Sequence, residues 1–240
     1  MKNKFFLTAI YLLFFNIILF AQKPYIQAGY NLSTTTTTSG GNVDNTRMLS
    51  TFNVGIMNAF NLSPTFDLEA GLLFTGKGAK EDIFFTSSTT DNYSKRKLMP
   101  YYVELPLNVL FRIPIDMMGT GNNKNRRSGI NIYAGPYGAM GVAGKVKGDT
   151  RILGINSSFS NDIQFNDDNP FTSQQEEASR SRLKRFDYGL NFGVKFEFER
   201  ALLKVNYGLG LSKINSVQQD NGTDDKNKYR VWSFSLGYMF

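Results

Sequence analysis

Residues Lys228 to Phe240 read KYRVWSFSLGYMF. Trp232, Phe234, Leu236, Tyr238 and Phe240 are bulky and apolar, and Ser233, Ser235, Gly237 and Met239 stand between them. That period of two marks a strand with one greasy face. The sequence stops on an aromatic residue of that face. A soluble sheet gives no reason to finish there, whereas a closed membrane barrel does, because its last strand must pair with its first. The stretch sets the expectation for the chain: an all-β, eight-stranded, antiparallel, up-and-down transmembrane β-barrel.

The other end reads as a targeting segment. Lys2 and Lys4 precede an apolar run, Phe5 to Phe20, broken only by Thr8 and Asn16, and Ala21 precedes Gln22 and Lys23. This is the layout of a cleaved signal peptide over residues 1–21, with Leu19 an imperfect fit to the small-residue rule. The alternative is an N-terminal membrane anchor, for which the run falls short of the ~20 apolar residues a spanning helix needs. Residues 22–240 then form one barrel domain. No later apolar run approaches helix-spanning length, so strands must make any crossing. The sequence has no Cys, which excludes a disulfide framework and thiolate metal sites. Without Lys2 and Lys4 the formal charge of +7 falls to +5, and the cations are scattered apart from Lys124, Arg126 and Arg127. Nucleic acid is not an expected partner.

Eight segments carry strand patterning. The first, Tyr25 to Leu32, places Ile26, Ala28, Tyr30 and Leu32 opposite Gln27, Gly29 and Asn31. Ser33 to Thr46, with five consecutive threonines, follows as a loop or a strand extension beyond the membrane. The second strand is Thr51 to Phe60. A turn at Asn61 to Pro64 leads to the third, where Phe66, Leu68, Ala70, Leu72 and Phe74 oppose Asp67, Glu69, Gly71, Leu73 and Thr75. A polar loop is expected from Lys77 to Lys97. The fourth strand, Tyr101 to Ile113, includes an inward Pro106 that predicts a bulge or a missing ladder bond. In the fifth, Gly129 to Lys147, glycines and alanines blur the two faces. A long loop, Gly148 to Lys184, precedes the sixth strand, Phe186 to Phe198. The seventh runs from Leu203 to Ser212 and the eighth is the C-terminal stretch. Connections run long, short, long, medium, long, short, long, the asymmetry expected of a barrel with both termini in the periplasm.

The polar faces of these strands carry mostly Gly, Asn, Ser and Thr, with a few charges. A soluble, lipocalin-like small-molecule-binding barrel, the rival reading, needs Lys and Glu where the wall meets water. Small residues suit the crowded interior of a narrow barrel, and the aromatic and aliphatic faces suit lipid. Tyr25, Phe66, Phe111, Phe198, Tyr238 and Phe240, near strand ends, are expected to form the periplasmic aromatic girdle.

Four stretches, Tyr102-Val-Glu-Leu-Pro-Leu-Asn-Val-Leu-Phe-Arg112, Tyr133-Ala-Gly-Pro-Tyr-Gly138, Phe186-Asp-Tyr-Gly-Leu-Asn-Phe-Gly193 and Tyr207-Gly-Leu-Gly-Leu-Ser212, resemble strand motifs of the PorT-like outer-membrane β-barrel family common in Bacteroidetes. The resemblance covers the mature chain and implies an outer-membrane barrel. It also implies an alternative role, since one branch of that family belongs to a machine that secretes proteins. The C-terminal residues Trp232, Phe234, Leu236, Tyr238 and Phe240 resemble the assembly signal of outer-membrane barrels, which implies recognition by barrel-assembly machinery.

No enzyme is expected. The sequence has no His, the usual general base near neutrality and the commonest transition-metal ligand. Inward carboxylates Asp67, Glu69, Glu104, Asp187 and Glu197 are expected to pair with Arg112, Lys195 and Lys204 as a structural lumen network, because buried charges need partners. Glu104 is the first partner expected for Arg112. Loop acids Asp167, Asp168, Asp224 and Asp225 lack calcium-loop spacing. No cofactor or metal is expected. The partners expected are outer-membrane lipid, the assembly machinery and a protein contacted through external loops. A binding, anchoring or envelope-structural role with a plugged lumen follows.

Overall fold

The computed structural model describes residues 23–39, 42–87, 90–114, 128–165, 182–214 and 227–240. The expected signal segment, 1–21, lies outside the described residues. In chain order the strands are β1 (Lys23–Ser39), β2 (Asn42–Asn45), β3 (Leu49–Asn61), β4 (Phe66–Gly76), β5 (Ala79–Ser87), β6 (Thr90–Pro114), β7 (Ser128–Ile152), β8 (Ile155–Asp162), β9 (Gln164–Phe165), β10 (Arg182–Leu183), β11 (Phe186–Phe198), β12 (Ala201–Gly210) and β13 (Lys228–Met239). No helix occurs among the described residues.

Eight of these strands, β1, β3, β4, β6, β7, β11, β12 and β13, pair antiparallel, each with the next. The ring closes where β13 returns to β1, in a register that runs from Tyr25 opposite Met239 to Thr36 opposite Lys228. The Phe240 amide extends this seam by donating to the Pro24 carbonyl at 3.1 Å. The start of β1 and Phe240 therefore lie at one rim, with the short connections at residues 62–65 and 199–200. We call this the lower rim.

Alternation decides the wall. Phe52, Val54, Ile56, Leu105, Leu107, Val109, Ile132, Phe192, Leu203, Trp232, Phe234 and Leu236 are exposed outside, while Glu69, Asn108, Asn131 and Lys195 are buried inside. A soluble, lipocalin-like barrel is turned the other way round, and this distribution overturns that reading. On β6 the outward aromatics Tyr101 and Phe111 are ten residues apart, about 33 Å along the strand. A tilt of 35–45° makes that a height of roughly 25 Å, the thickness of the apolar band of an outer-membrane barrel. Phe66 and Phe111 meet edge to face at 5.5 Å, and Tyr238 and Phe240 at 5.8 Å, at the lower end of this band. Tyr25 corrects the expected girdle. It points inward, is 1% exposed and joins the lumen.

Two expected loops are strands. Lys77–Lys97 contains β5, which pairs with β6 in the same register as β4 does, so that Gly76 faces Tyr101 and Ala79 faces Leu98. Gly148–Lys184 contains the end of β7 and all of β8, joined by Leu153 and Gly154, both at positive φ. The threonine run likewise continues β1 and pairs with β2. β8, exposed along its whole length, needs no apolar face, and its sequence carries no alternation. At 25 residues each, β6 and β7 reach far beyond the 9–11 residues that a crossing takes.

Pro106 interrupts the ladder without shifting it: β4–β6 partners are absent at Leu105 and Pro106, yet the register on either side agrees. The bulge comes higher, at Val142, where Tyr102 faces Gly141 and Tyr101 faces Ala143. Above it, Val146 and Gly148 turn inward. Val146, Tyr102, Tyr137, Ile163, Leu183, Ile214, Tyr229 and Val231 form an apolar cluster with Leu98 and Phe165 across the upper mouth. The blurred glycines of β7 now have a reason. A Cβ at Gly141 would lie 2.2 Å from the Phe165 ring, whereas one at Gly138 would meet nothing within 4 Å. Gly141→Val should therefore cost about 1–3 kcal/mol by overpacking, and Gly138→Ala should stay within about 0.5 kcal/mol. Urea midpoints of the micelle-refolded protein, read from the shift in gel mobility on unfolding, check this; equal midpoints would refute the packing role assigned to Gly141.

Candidate functional site

The lumen is the only place where the barrel gathers charge away from solvent among the described residues. Inward positions of β4, β6, β11 and β12 supply it. On β11 and β12, Lys195 and Lys204 stand directly opposite each other, an unfavourable pairing by itself. Glu69, reaching across from β4, lies between them. Its carboxylate accepts from Lys204 Nζ at 2.5 Å, Lys195 Nζ at 3.1 Å, the Tyr25 hydroxyl at 2.7 Å and Asn108 Nδ2 at 3.1 Å. Lys195 also holds Glu197 at 3.0 Å. The Tyr133 ring lies 4.6 Å from Lys204 Nζ, and the Tyr25 ring 5.2 Å from Lys195 Nζ.

A second cluster sits nearer the upper mouth. Lys77 Nζ bridges Glu104 at 2.9 Å and Asp187 at 2.7 Å, over the face of Tyr137 at 4.1 Å. Ser212 and Tyr137 donate their hydroxyls to Asp187. Asn191 donates from Nδ2 to Glu104 at 3.4 Å and accepts at Oδ1 from Asn206, whose Oδ1 in turn accepts from Tyr133. A third pair, Arg112 with Asp67, lies near the lower rim. Polar side chains fill the wall between: Asn53 donates to Asn31, Asn31 to Thr75, and Ser235 and Gln27 to Asn53.

Glu69, Glu104, Arg112, Asp187, Lys195, Glu197 and Lys204 all face inward, but they form three groups. Arg112 pairs with Asp67 rather than Glu104. Eight residues on one strand separate Arg112 from Glu104 by about 26 Å, beyond reach of any side chain. The cation that sequence reading missed is Lys77. The odd positions of β4 point inward from Asp67 to Thr75, and the same parity carried two residues further reaches Lys77. Its polar neighbours disguised it as loop. Trp232, Phe234, Leu236, Tyr238 and Phe240 project outward from β13, away from this interior, with Phe240 71% exposed.

The chemistry open to this interior is narrow. Each inward carboxylate is held by a cation. The enclosed cavity, about 40 Å³ between Gln27, Asn53, Glu104, Asn191 and Lys204, has room for water molecules only, on the order of two or three. Among the described residues no three His, Cys, Asp or Glu lie close enough to hold a metal ion. Asp167, Asp168, Asp224 and Asp225 lie outside the described residues. Removing one partner of a buried pair costs about 3–5 kcal/mol because the other charge is stranded. Lys77→Met strands two carboxylates and should destabilise the refolded barrel by at least that much. Arg112→Met, at the wetter rim, should cost less. Adding Glu104→Gln and Asp187→Asn to Lys77→Met should recover part of the loss, and a cycle of urea midpoints that shows no recovery would dissolve the cluster as an energetic unit.

A search of curated protein sequences returns no match. Among solved structures, the chain is similar to Ail, the attachment invasion locus protein of Yersinia pestis, at 15% identity over 91% of this chain and 98% of that one, with a TM-score of 0.40. Neisserial surface protein A gives 13% identity over 90% and 97%, with a TM-score of 0.39. Outer membrane protein W of E. coli gives 15% over 92% and 98%, with a TM-score of 0.35. The family match decides. Residues 20–216 match the family described as outer membrane protein beta-barrel domain, and the chain belongs to that family, a β-barrel protein of the outer membrane.

Proposed function

We propose that the protein is a non-conducting outer-membrane anchor that displays a binding surface, built on β5–β8, outside the cell. One observation carries this reading. The bore is blocked twice, by the cross-lumen charge clusters and by the apolar cluster at the mouth, while a four-stranded sheet stands beyond the upper rim. Solute passage needs an open lumen and catalysis needs a reactive group, whereas the inward charged groups here are paired with one another. β8 is exposed along its whole length, as suits a strand available to a partner. Membership of a protein-secretion or envelope-assembly machine rests on the PorT-like resemblance, and no feature of the barrel favours it.

Eight strands enclose a bore that side chains can fill. Planar bilayers containing the refolded protein should therefore show no steady conductance, and stable porin-sized openings would end the anchor reading. Because the sequence has no Cys, single cysteines report orientation cleanly. Asn156→Cys on β8 should react with a bulky impermeant maleimide in intact cells, and Leu62→Cys in the lower turn only after permeabilisation. The opposite pattern inverts the proposed display.

The exposed aromatic row of β13 is proposed as the segment that assembly machinery reads before the barrel closes. Phe240 packs outside and adds one backbone bond to the seam, so its loss should barely affect refolding in detergent. Deleting it should instead leave much of the protein in the periplasm. Equal impairment in cells and in detergent refolding would make Phe240 a structural residue only.

A further inference from the structure

Across the sheet above the upper rim, one row of side chains is basic from end to end. Arg47 bridges to Lys80, Lys80 stands opposite Lys97, and Lys97 stands opposite Lys147. Directly opposed residues project from the same face. Strands lie about 4.8 Å apart, so four cations leave the sheet along a line of roughly 14 Å. Like charges in such a position destabilise a ladder. The neighbouring rows avoid this: Asp82, Lys95 and Asp149 alternate in sign above, and Met99, Lys145 and Asp162 lie below. Arg47 reaches Asp82 at 2.7 Å, but no ion pair involves Lys80, Lys97 or Lys147 among the described residues.

The row lies on the side that continues the lipid-facing wall. Lys97 shares its side of β6 with Met99, Tyr101, Val103 and Leu105, and the bulge at Val142 turns Lys145 and Lys147 to that side as well. Tyr101 stacks on Phe74 at 5.6 Å and meets Phe52 at 5.9 Å, an outward aromatic cluster. Aromatics of this kind mark the edge of the apolar band. Lys97 is four residues further along, about 13 Å of strand, where the acyl layer has given way to headgroups.

We propose that Arg47, Lys80, Lys97 and Lys147, with Lys145 beneath them, bind phosphate groups of outer-leaflet lipid headgroups and so hold the β5–β8 sheet against the membrane surface. The proposal rests on the external placement given above. Charge complementarity selects the occupant: among the described side chains, this face carries Asp82, already taken by Arg47, and only Asp149 and Asp162 as further carboxylates.

The full mature chain, refolded in dodecyl maltoside, is titrated with fluorescent diphosphoryl lipid A. Lys80→Gln/Lys97→Gln/Lys147→Gln should weaken binding about tenfold near 50 mM salt, and about 0.5 M salt should erase most of the difference by screening. Phosphatase-treated lipid A should bind the wild type as weakly as the triple variant binds the intact lipid. Undiminished binding by the triple variant, or of the dephosphorylated lipid, overturns the proposal. Asp149→Asn/Asp162→Asn keeps the row and removes its competing carboxylates. It should tighten binding about threefold, and it decides the matter if the triple variant does not refold, unchanged or weaker binding counting against the row. Micelles have no inside or outside, so these results stand apart from the maleimide test of orientation.

Discussion

Lipid offers no hydrogen-bond partner to a strand edge, and every other feature of this barrel follows from that. A sheet of seven of these strands would leave two rows of amides and carbonyls in hydrocarbon, each costing several kcal/mol. The seam between β1 and β13, twelve residue pairs long and extended by the Phe240 amide, removes both rows together. Closure also fixes what the seam residues look like. Ile26, Ala28, Tyr30, Phe234, Leu236 and Tyr238 must meet lipid, because their alternates Gln27, Gly29, Ser235 and Gly237 have only the crowded interior.

Closing eight strands makes a bore so narrow that opposite walls touch through their side chains. This is why Glu69 on β4 can satisfy Lys195 and Lys204 on the far wall, and why the two lysines tolerate being opposed. A one-residue slip would move a charge to the lipid face, where a cation at the midplane costs about 2–4 kcal/mol. The charge clusters therefore select one register as well as fill the bore. Tyr25, Tyr133 and Tyr137 serve the same end, presenting rings to the lysines and hydroxyls to their partners.

The barrel was legible because lipid on one side and a packed bore on the other impose strict alternation, and all eight patterned segments became ring strands. Legibility failed where that pressure lapses. Tyr25 sits at a strand end, and an aromatic there fits either the girdle or the lumen. Only the parity of Gln27 and Asn31 tells the two apart. Lys77 belonged to the inward parity of β4 but lay in a polar stretch beside Gly78, whose φ of +126° breaks the ladder for two residues. The pairing of Arg112 with Asp67 needed cross-strand register, which no single strand contains.

Above the apolar band the same strands obey a different rule. β6 and β7 leave lipid and continue into water without a break in pairing, so their two faces are freed from the hydrocarbon but not from each other. The inner face still overlooks the mouth, and it stays apolar: Leu98 and Val146 pack with Phe165, Leu183 and Tyr229. The outer face has lost its acyl chains and keeps charge instead, at Lys95, Lys97, Lys145, Lys147 and Arg151. The bulge at Val142 makes this division possible. Without the extra residue, β7 would turn Lys145 and Lys147 toward the apolar cluster and Val146 toward water, reversing both faces at once.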